Sequence, residues 1–173
     1  MKEPFDISSK VVVCTGVGSG IGKSIAHTFL ANGAYGFIGV DIDETLEEMY
    51  KKELSNYSKS FYVICGDVSN ENDVKKYLDL ALTKFGRVDV MINNAAYAQA
   101  IKIHKTPEDI WDKTFNVNVK SLYINAIDSL SKHNLIDEDS EEKPLKDIFS
   151  GNVGLNVVQR AKSKSFGLFS QGG

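Results

Sequence analysis

The chain has 173 residues, 42% hydrophobic and 25% charged, enough for one globular domain with its own core and too few for a second full one. A formal net charge of -3 supplies no sequence-wide positive field to hold nucleic acid or an anionic membrane surface. No apolar run reaches the roughly 18 residues of a membrane span, and the opening Met-Lys-Glu-Pro-Phe-Asp lacks a secretory leader's apolar stretch, so the expected compartment is the cytoplasm.

Short β-branched runs alternate with stretches of helical period, the pattern of βαβ units around a parallel sheet. The first strand is Val11, Val12 and Val13, continuing through Cys14 and Thr15 into a glycine cluster. Ile21, Ile25 and Phe29 then recur every fourth residue as the apolar stripe of a helix that stops at Asn32-Gly33. A second strand, Phe37 to Val40, ends on Asp41, and Asp43 is expected to cap a polar helix running towards Leu54. The third strand is Phe61 to Cys65. A cap at Ser69 opens a helix whose Val74, Tyr77, Leu78, Ala81, Leu82 and Phe85 share one face until Gly86 ends it.

The fourth strand, Val88 to Ile92, runs into Asn93-Asn94-Ala95-Ala96. Thr106 caps the next helix with Pro107 at its first position, and the helix is expected to continue to about Ser129. Beyond Leu130 the acidic run Asp137 to Glu142 reads as a linker, followed by a weakly organised tail in which Val153, Leu155 and Val157 alternate as one more short strand. The expected organisation is a dinucleotide-binding domain over 1–130 and an acidic linker with a weakly structured tail over 131–173. The fold is α/β, a Rossmann-type doubly wound parallel sheet that stops after its fourth strand and the following helix. The apolar fourth strand would then be an exposed edge, which either the tail strand covers or a homo-oligomer must.

Cys14 and Cys65 lie inside apolar strand-like runs and are expected as buried thiols without a disulfide. His27, His104 and His133 share no ligand spacing with them, so no metal site is expected. The chemistry points instead to Thr15-Gly16-Val17-Gly18-Ser19-Gly20-Ile21-Gly22, between the first strand and the first helix. There, missing side chains let pyrophosphate oxygens approach backbone N–H groups at a helix N-terminus. A tight strand-to-helix turn without a ligand would also use such glycines. Asp41 tilts the balance, because it closes the second strand about 20 residues further on, where a Rossmann fold keeps the acid that accepts the ribose 2′-hydroxyl. Its carboxylate repels a 2′-phosphate, and Val17, Gly18, Ser19 and Ile42 offer no compensating cation. NAD is therefore expected over NADP.

In the Thr-Gly-x-x-x-Gly-x-Gly arrangement of Thr15, Gly16, Gly20 and Gly22, the chain resembles the short-chain dehydrogenase/reductase family. The resemblance continues through Asp67-Val68, which in that family lie beside the adenine. It extends to Asn93-Asn94-Ala95-Ala96, which matches the family's Asn-Asn-Ala-Gly strand end with Ala96 for the last glycine. It implies alcohol or ketone oxidoreduction with a nicotinamide dinucleotide held by Thr15, Gly16, Gly18, Ser19, Gly20, Ile21, Gly22, Asp41, Ile42, Asp67, Val68, Asn93, Asn94 and Ala95. Asn118 shares a helical face with Trp111, Phe115 and Leu122, a stripe that reads as core. An amide there is satisfied either by neighbouring backbone or, as the resemblance implies, as the catalytic asparagine that holds a water of the proton relay; Asn116 is the weaker candidate.

The resemblance fails at the acid–base pair. A family member exchanges its proton through a tyrosine activated by a lysine four residues later, and none of the seven tyrosines here has that lysine. Tyr123 is the last, and Ser150, Ser163 and Ser165 in the tail come with no base near neutral pH. Two readings remain open: an NAD-dependent oxidoreductase or its shortened product, and a nucleotide-binding module or regulator without turnover.

Overall fold

The computed structural model describes residues 6–57, 60–132 and 157–159. Four parallel strands, β1 (Val11–Thr15), β2 (Gly36–Asp41), β3 (Phe61–Cys65) and β4 (Val90–Ile92), lie in the order β3-β2-β1-β4, with β5 (Val157–Gln159) beyond β4. In β1 to β3 the pairing brings Thr15 opposite Val40 and Asp41 opposite Cys65, so the C-terminal ends of these strands form one rim. β5 runs antiparallel on β4, with Met91 opposite Val158. The bare edge expected on β4 is thus covered from the tail, and the reason it gave for an oligomer lapses. The acidic run Asp137 to Glu142, Val153 and Leu155 lie outside the described residues.

Both faces of the sheet are apolar, as a parallel sheet between helices requires. Val12, Cys14 and Phe37 face α1 (Gly20–Ala31) and α2 (Leu46–Glu53), in a core that also holds Tyr50 and Phe61. Val13, Ile38, Val40 and Met91 face α3 (Glu71–Phe85) and α5 (Ser121–Lys132), packing on Val74, Tyr77, Leu78, Ala81 and Ile124. The alternation along β1 and β2 is the period-2 signature of a strand.

Several local readings shift. In α1 the fully buried positions are Gly22, Ala26 and Leu30, while Ile21 is 73% exposed and Ile25 and Phe29 only flank the core. Close helix–sheet packing selects the small side chains. α2 begins after Thr45, and Asp43 instead closes a turn before it, accepting from the Thr45 N–H at 2.9 Å and from its hydroxyl at 2.7 Å. Asn70, not Ser69, caps α3, its side-chain oxygen accepting from Asn72 and Asp73 N–H. β4 starts two residues later than expected because the carboxylate of buried Asp89 takes the Val11 N–H at 2.9 Å and holds Arg87 Nε at 2.7 Å. Cys14 is buried, and burial pushes its thiol up to about 12. Cys65 is exposed, as the last residue of the edge strand β3.

The helix after β4 departs most. α4 (Glu108–Phe115) follows Pro107 as cap, Thr106 Oγ1 donates back to the Lys102 carbonyl, and a π-helical turn over Asn116–Lys120 separates α4 from α5. A π turn carries one extra residue and rotates the next helix by about 100°. Trp111 and Phe115 therefore do not share the core face with Asn118: they are 47% and 44% exposed, packed against each other with centroids 4.7 Å apart and ring planes tilted by 33°. Among the described residues no helix is long and apolar enough to cross a membrane.

Candidate functional site

At the C-terminal rim of the sheet lies a cleft of about 530 Å3. Its floor is the β1–α1 loop, with Gly16, Ser19, Gly20 and Ile21; Asp41 and Ile42 form one side, Gly66, Asp67 and Val68 the next, and Asn94 and Ala95 the other. Ten of the expected contact residues therefore meet on one concave surface. Thr15, Gly18, Gly22 and Asn93 do not line it, and the first three act from behind.

Thr15 ties β1 to the end of β4. Its hydroxyl oxygen accepts the N–H groups of Asn94 and Ala95, each at 3.1 Å, while Asn94 Nδ2 donates to the carbonyls of Thr15 at 3.0 Å and Gly16 at 3.1 Å. Gly16 turns with φ 73°, and a Cβ there would stand 2.8 Å from Ala95 Cα. At Gly22 a Cβ would come within 1.9 Å of the Gly16 carbonyl oxygen, so only glycine permits this closure of loop on helix. Gly20, with φ 53°, has nothing near its Cβ direction and faces open space in the cleft.

The loop and the helix divide the polar work. Gly16 and Val17 N–H donate to the Val40 carbonyl at 2.7 and 3.3 Å, and Gly18 N–H donates to Asp41 Oδ2 at 2.7 Å. Then α1 begins after its N-cap Ser19, whose side chain makes no cap hydrogen bond, and no acid stands in its first turn. The leading N–H groups of a helix have no partner within it, so this end keeps the positive dipole field that suits a diphosphate. Asp41 Oδ1 also accepts from Asp43 N–H at 3.2 Å, which fixes both carboxylate oxygens at the rim with lone pairs to spare.

Across the cleft, Asp67 is oriented by its own turn, accepting the Ser69 N–H at 2.8 Å and its hydroxyl at 2.7 Å, beside buried Val68. The wall is completed by Ala96, the last residue of the strand-end motif, and by residues that no motif marks: Tyr97, Lys113 and Val117. Lys113 stands 4.4 Å from the Tyr97 ring centroid and brings into the cleft a cation that neither the glycine loop nor Ile42 carries. No local signal marks it, because α4 and the Tyr97 segment meet only through tertiary packing. Asn118 sits within the π turn with both ends of its amide committed: Oδ1 accepts Tyr97 N–H and Nδ2 donates to the Tyr97 carbonyl, each at 2.8 Å. The side chain thus binds neighbouring backbone and sets the path of the chain after β4.

These residues fit a dinucleotide: a helix N-terminus without a cap, glycines that clear its approach and a carboxylate at the end of the second strand. The comparisons agree. The family described as short chain dehydrogenase matches residues 10–140. The 3beta-hydroxysteroid dehydrogenase 2 of Eggerthella lenta is 35% identical over 117 residues, covering 67% of this chain and 45% of that protein. A short chain dehydrogenase/reductase from Burkholderia phymatum, solved in complex with NAD, superposes with a TM-score of 0.67 at 27% identity, over 74% of this chain and 45% of the other. A blue fluorescent protein from a metagenomic library, solved with NADPH, shares the fold with a TM-score of 0.66 at 23% identity, over 73% of this chain and 52% of the other. The chain spans about half the length of these proteins. With its family match, its sheet order and its glycine loop in accord, this chain belongs to the short-chain dehydrogenase family.

Proposed function

We propose that the chain binds NAD(H) in preference to NADP(H), and that the 173-residue chain does so without turning substrate over. The observation that carries the cofactor preference is the Asp41 carboxylate, held at the rim by Gly18 N–H at 2.7 Å. A ribose 2′-hydroxyl can donate to it, whereas a 2′-phosphate would meet it as a like charge. The nicotinamide, when bound, supplies the hydride acceptor or donor of the family's alcohol–ketone chemistry. Gly16, Ser19 to Ile21, Asp41, Ile42, Asp67, Val68, Asn94 and Ala95 would cradle the dinucleotide, with Thr15 and Gly22 holding the loop from behind, and Asn118 would act on the site as a positioning residue through Tyr97.

The absence of turnover rests on the missing tyrosine–lysine pair. A general acid–base group contributes about 10²- to 10⁴-fold in rate, and Asn118, whose amide does not titrate near neutral pH, is no substitute. NADH and NADPH titrations by nicotinamide fluorescence test the first part: NADH should bind more tightly, and Asp41→Ala should narrow the gap. Equal affinity of the unsubstituted chain for both would overturn the assignment of Asp41. An absorbance assay with hydroxysteroid, sugar-alcohol and ketone substrates tests the second. Turnover that disappears on Gly20→Asp, which sets a carboxylate against the pyrophosphate, would show that a base other than a tyrosine–lysine pair supports the reaction.

A further inference from the structure

We infer that Tyr50, on α2, is a positioning residue for cofactor discrimination, acting through the peptide plane between Val17 and Gly18. This inference rests on the reading of Asp41 as the ribose acid. Tyr50 is 1% exposed, and its hydroxyl donates to the Val17 carbonyl at 2.6 Å. On the other side of the same peptide, Gly18 N–H donates to Asp41 Oδ2 at 2.7 Å. In a trans peptide the C=O and N–H point in opposite directions, so Tyr50 and Asp41 grip one plane from its two sides.

The geometry gives the plane one orientation. Were it to rotate, the Tyr50 hydroxyl and the Val17 carbonyl would lose each other in an apolar core, and the Asp41 oxygen would lose its N–H together with the alignment that N–H imposes. Burial and the nearby Glu53 carboxylate push the Tyr50 hydroxyl up to about 12, so it remains a donor throughout the neutral range. Neighbouring contacts leave little slack. The Val17 side chain is fully buried, with Cγ2 2.9 Å from the Cβ position of Gly39, and a Cβ at Gly18 would meet Asp41 Oδ2 at 2.8 Å and Leu46 Cδ1 at 2.9 Å. From behind the loop, α2 thus controls how the carboxylate at the cleft's rim presents itself, although Tyr50 itself does not line the cleft.

Tyr50→Phe removes the donor and keeps the ring that packs on Phe61 at 5.1 Å. With the full chain, the ratio of NADPH to NADH dissociation constants should fall by about three- to tenfold, the worth of one aligned hydrogen bond, chiefly through weaker NADH binding. A purely structural role would weaken both nucleotides alike. In an Asp41→Ala background the same substitution should leave the ratio unchanged, because the carboxylate it orients is gone. Replacement of Tyr50 by para-aminophenylalanine, which keeps an N–H donor, should restore the ratio, and it serves as the reporter if Tyr50→Phe does not fold. An unsubstituted chain that prefers NADH while Tyr50→Phe keeps the same ratio overturns this inference and leaves the Asp41 assignment standing. With Tyr50→Phe unfolded, a para-aminophenylalanine chain whose ratio falls to that of Asp41→Ala overturns it as well. No preference in the unsubstituted chain overturns both.

Discussion

The floor of the cleft and the wall completed by Tyr97 and Lys113 are built on different principles. In the β1–α1 loop, each special glycine has a constraint within a few positions of itself, Gly16 a left-handed turn and Gly22 a carbonyl six residues before it, even though Gly16 is also pressed against Ala95. In the arm formed by α4, the π turn and α5, Asn118 answers to Tyr97, twenty-one residues earlier in the chain. A constraint that is local leaves a pattern in sequence. One met only after folding leaves an isolated residue type.

The sharpest way to break this contrast is Gly22→Ala. A methyl group placed 1.9 Å from the Gly16 oxygen cannot be absorbed by a side-chain rotation, because the obstacle is backbone. The cost should be roughly 3 kcal/mol or more, at the upper end of overpacking, with NADH binding lost in step. Urea unfolding and nicotinamide fluorescence measure the two. A variant as stable and as tightly binding as the original would mean that the loop does not close on α1 in this way.

That difference also explains how much of the fold is legible in the sequence. Strand β3 reads to the residue and the C-terminal glycine of α3 is recognisable, because a short apolar run and a helix-ending glycine, Gly86 with its φ of 75°, are local features. The sheet order follows from the βαβ pattern, and ten cleft residues from the motifs. The exposed Trp111 and Phe115 are legible only as core, since their spacing with Asn118 fits one straight helix and nothing nearby announces a π turn. Tyr50 looks, in sequence, like one more apolar helix residue. Its partner, the Val17 carbonyl, lies thirty-three positions away.

Asn118→Ala should have the next largest effect, and it sharpens the comparison from the side of the wall. It leaves the Tyr97 N–H and carbonyl without the amide that serves both, at a cost of about 1–3 kcal/mol. Because the damage is local, amide hydrogen exchange at Tyr97 should speed up more than that in β1 or β2. Asn118→Asp, which keeps the acceptor and loses the donor, should fall between the two. An unchanged exchange rate at Tyr97 in Asn118→Ala would show that the pairing does not organise this wall.

The smallest effect is expected at Lys113, and it bears on whether the arm shares in choosing the nucleotide. Lys113 lines the same cleft as Asp41 and is exposed, with its ammonium 4.4 Å from the Tyr97 ring centroid. A cation over an aromatic face at an exposed site is worth about 0.5–1 kcal/mol, and salt screens whatever field it extends beyond that. Held over Tyr97, it has little to offer a 2′-phosphate, so Lys113→Ala should change the NADPH-to-NADH ratio by less than about twofold, a change worth less than that cation–π contact. The opposite outcome has its own signature: if Lys113 served the phosphate, its removal would weaken NADPH selectively, and the loss would shrink as ionic strength rises. Titrating both nucleotides against both chains at low and high salt separates the two cases. A selective, salt-sensitive loss would make discrimination a balance between the carboxylate on β2 and the cation on α4, one readable in sequence and the other not.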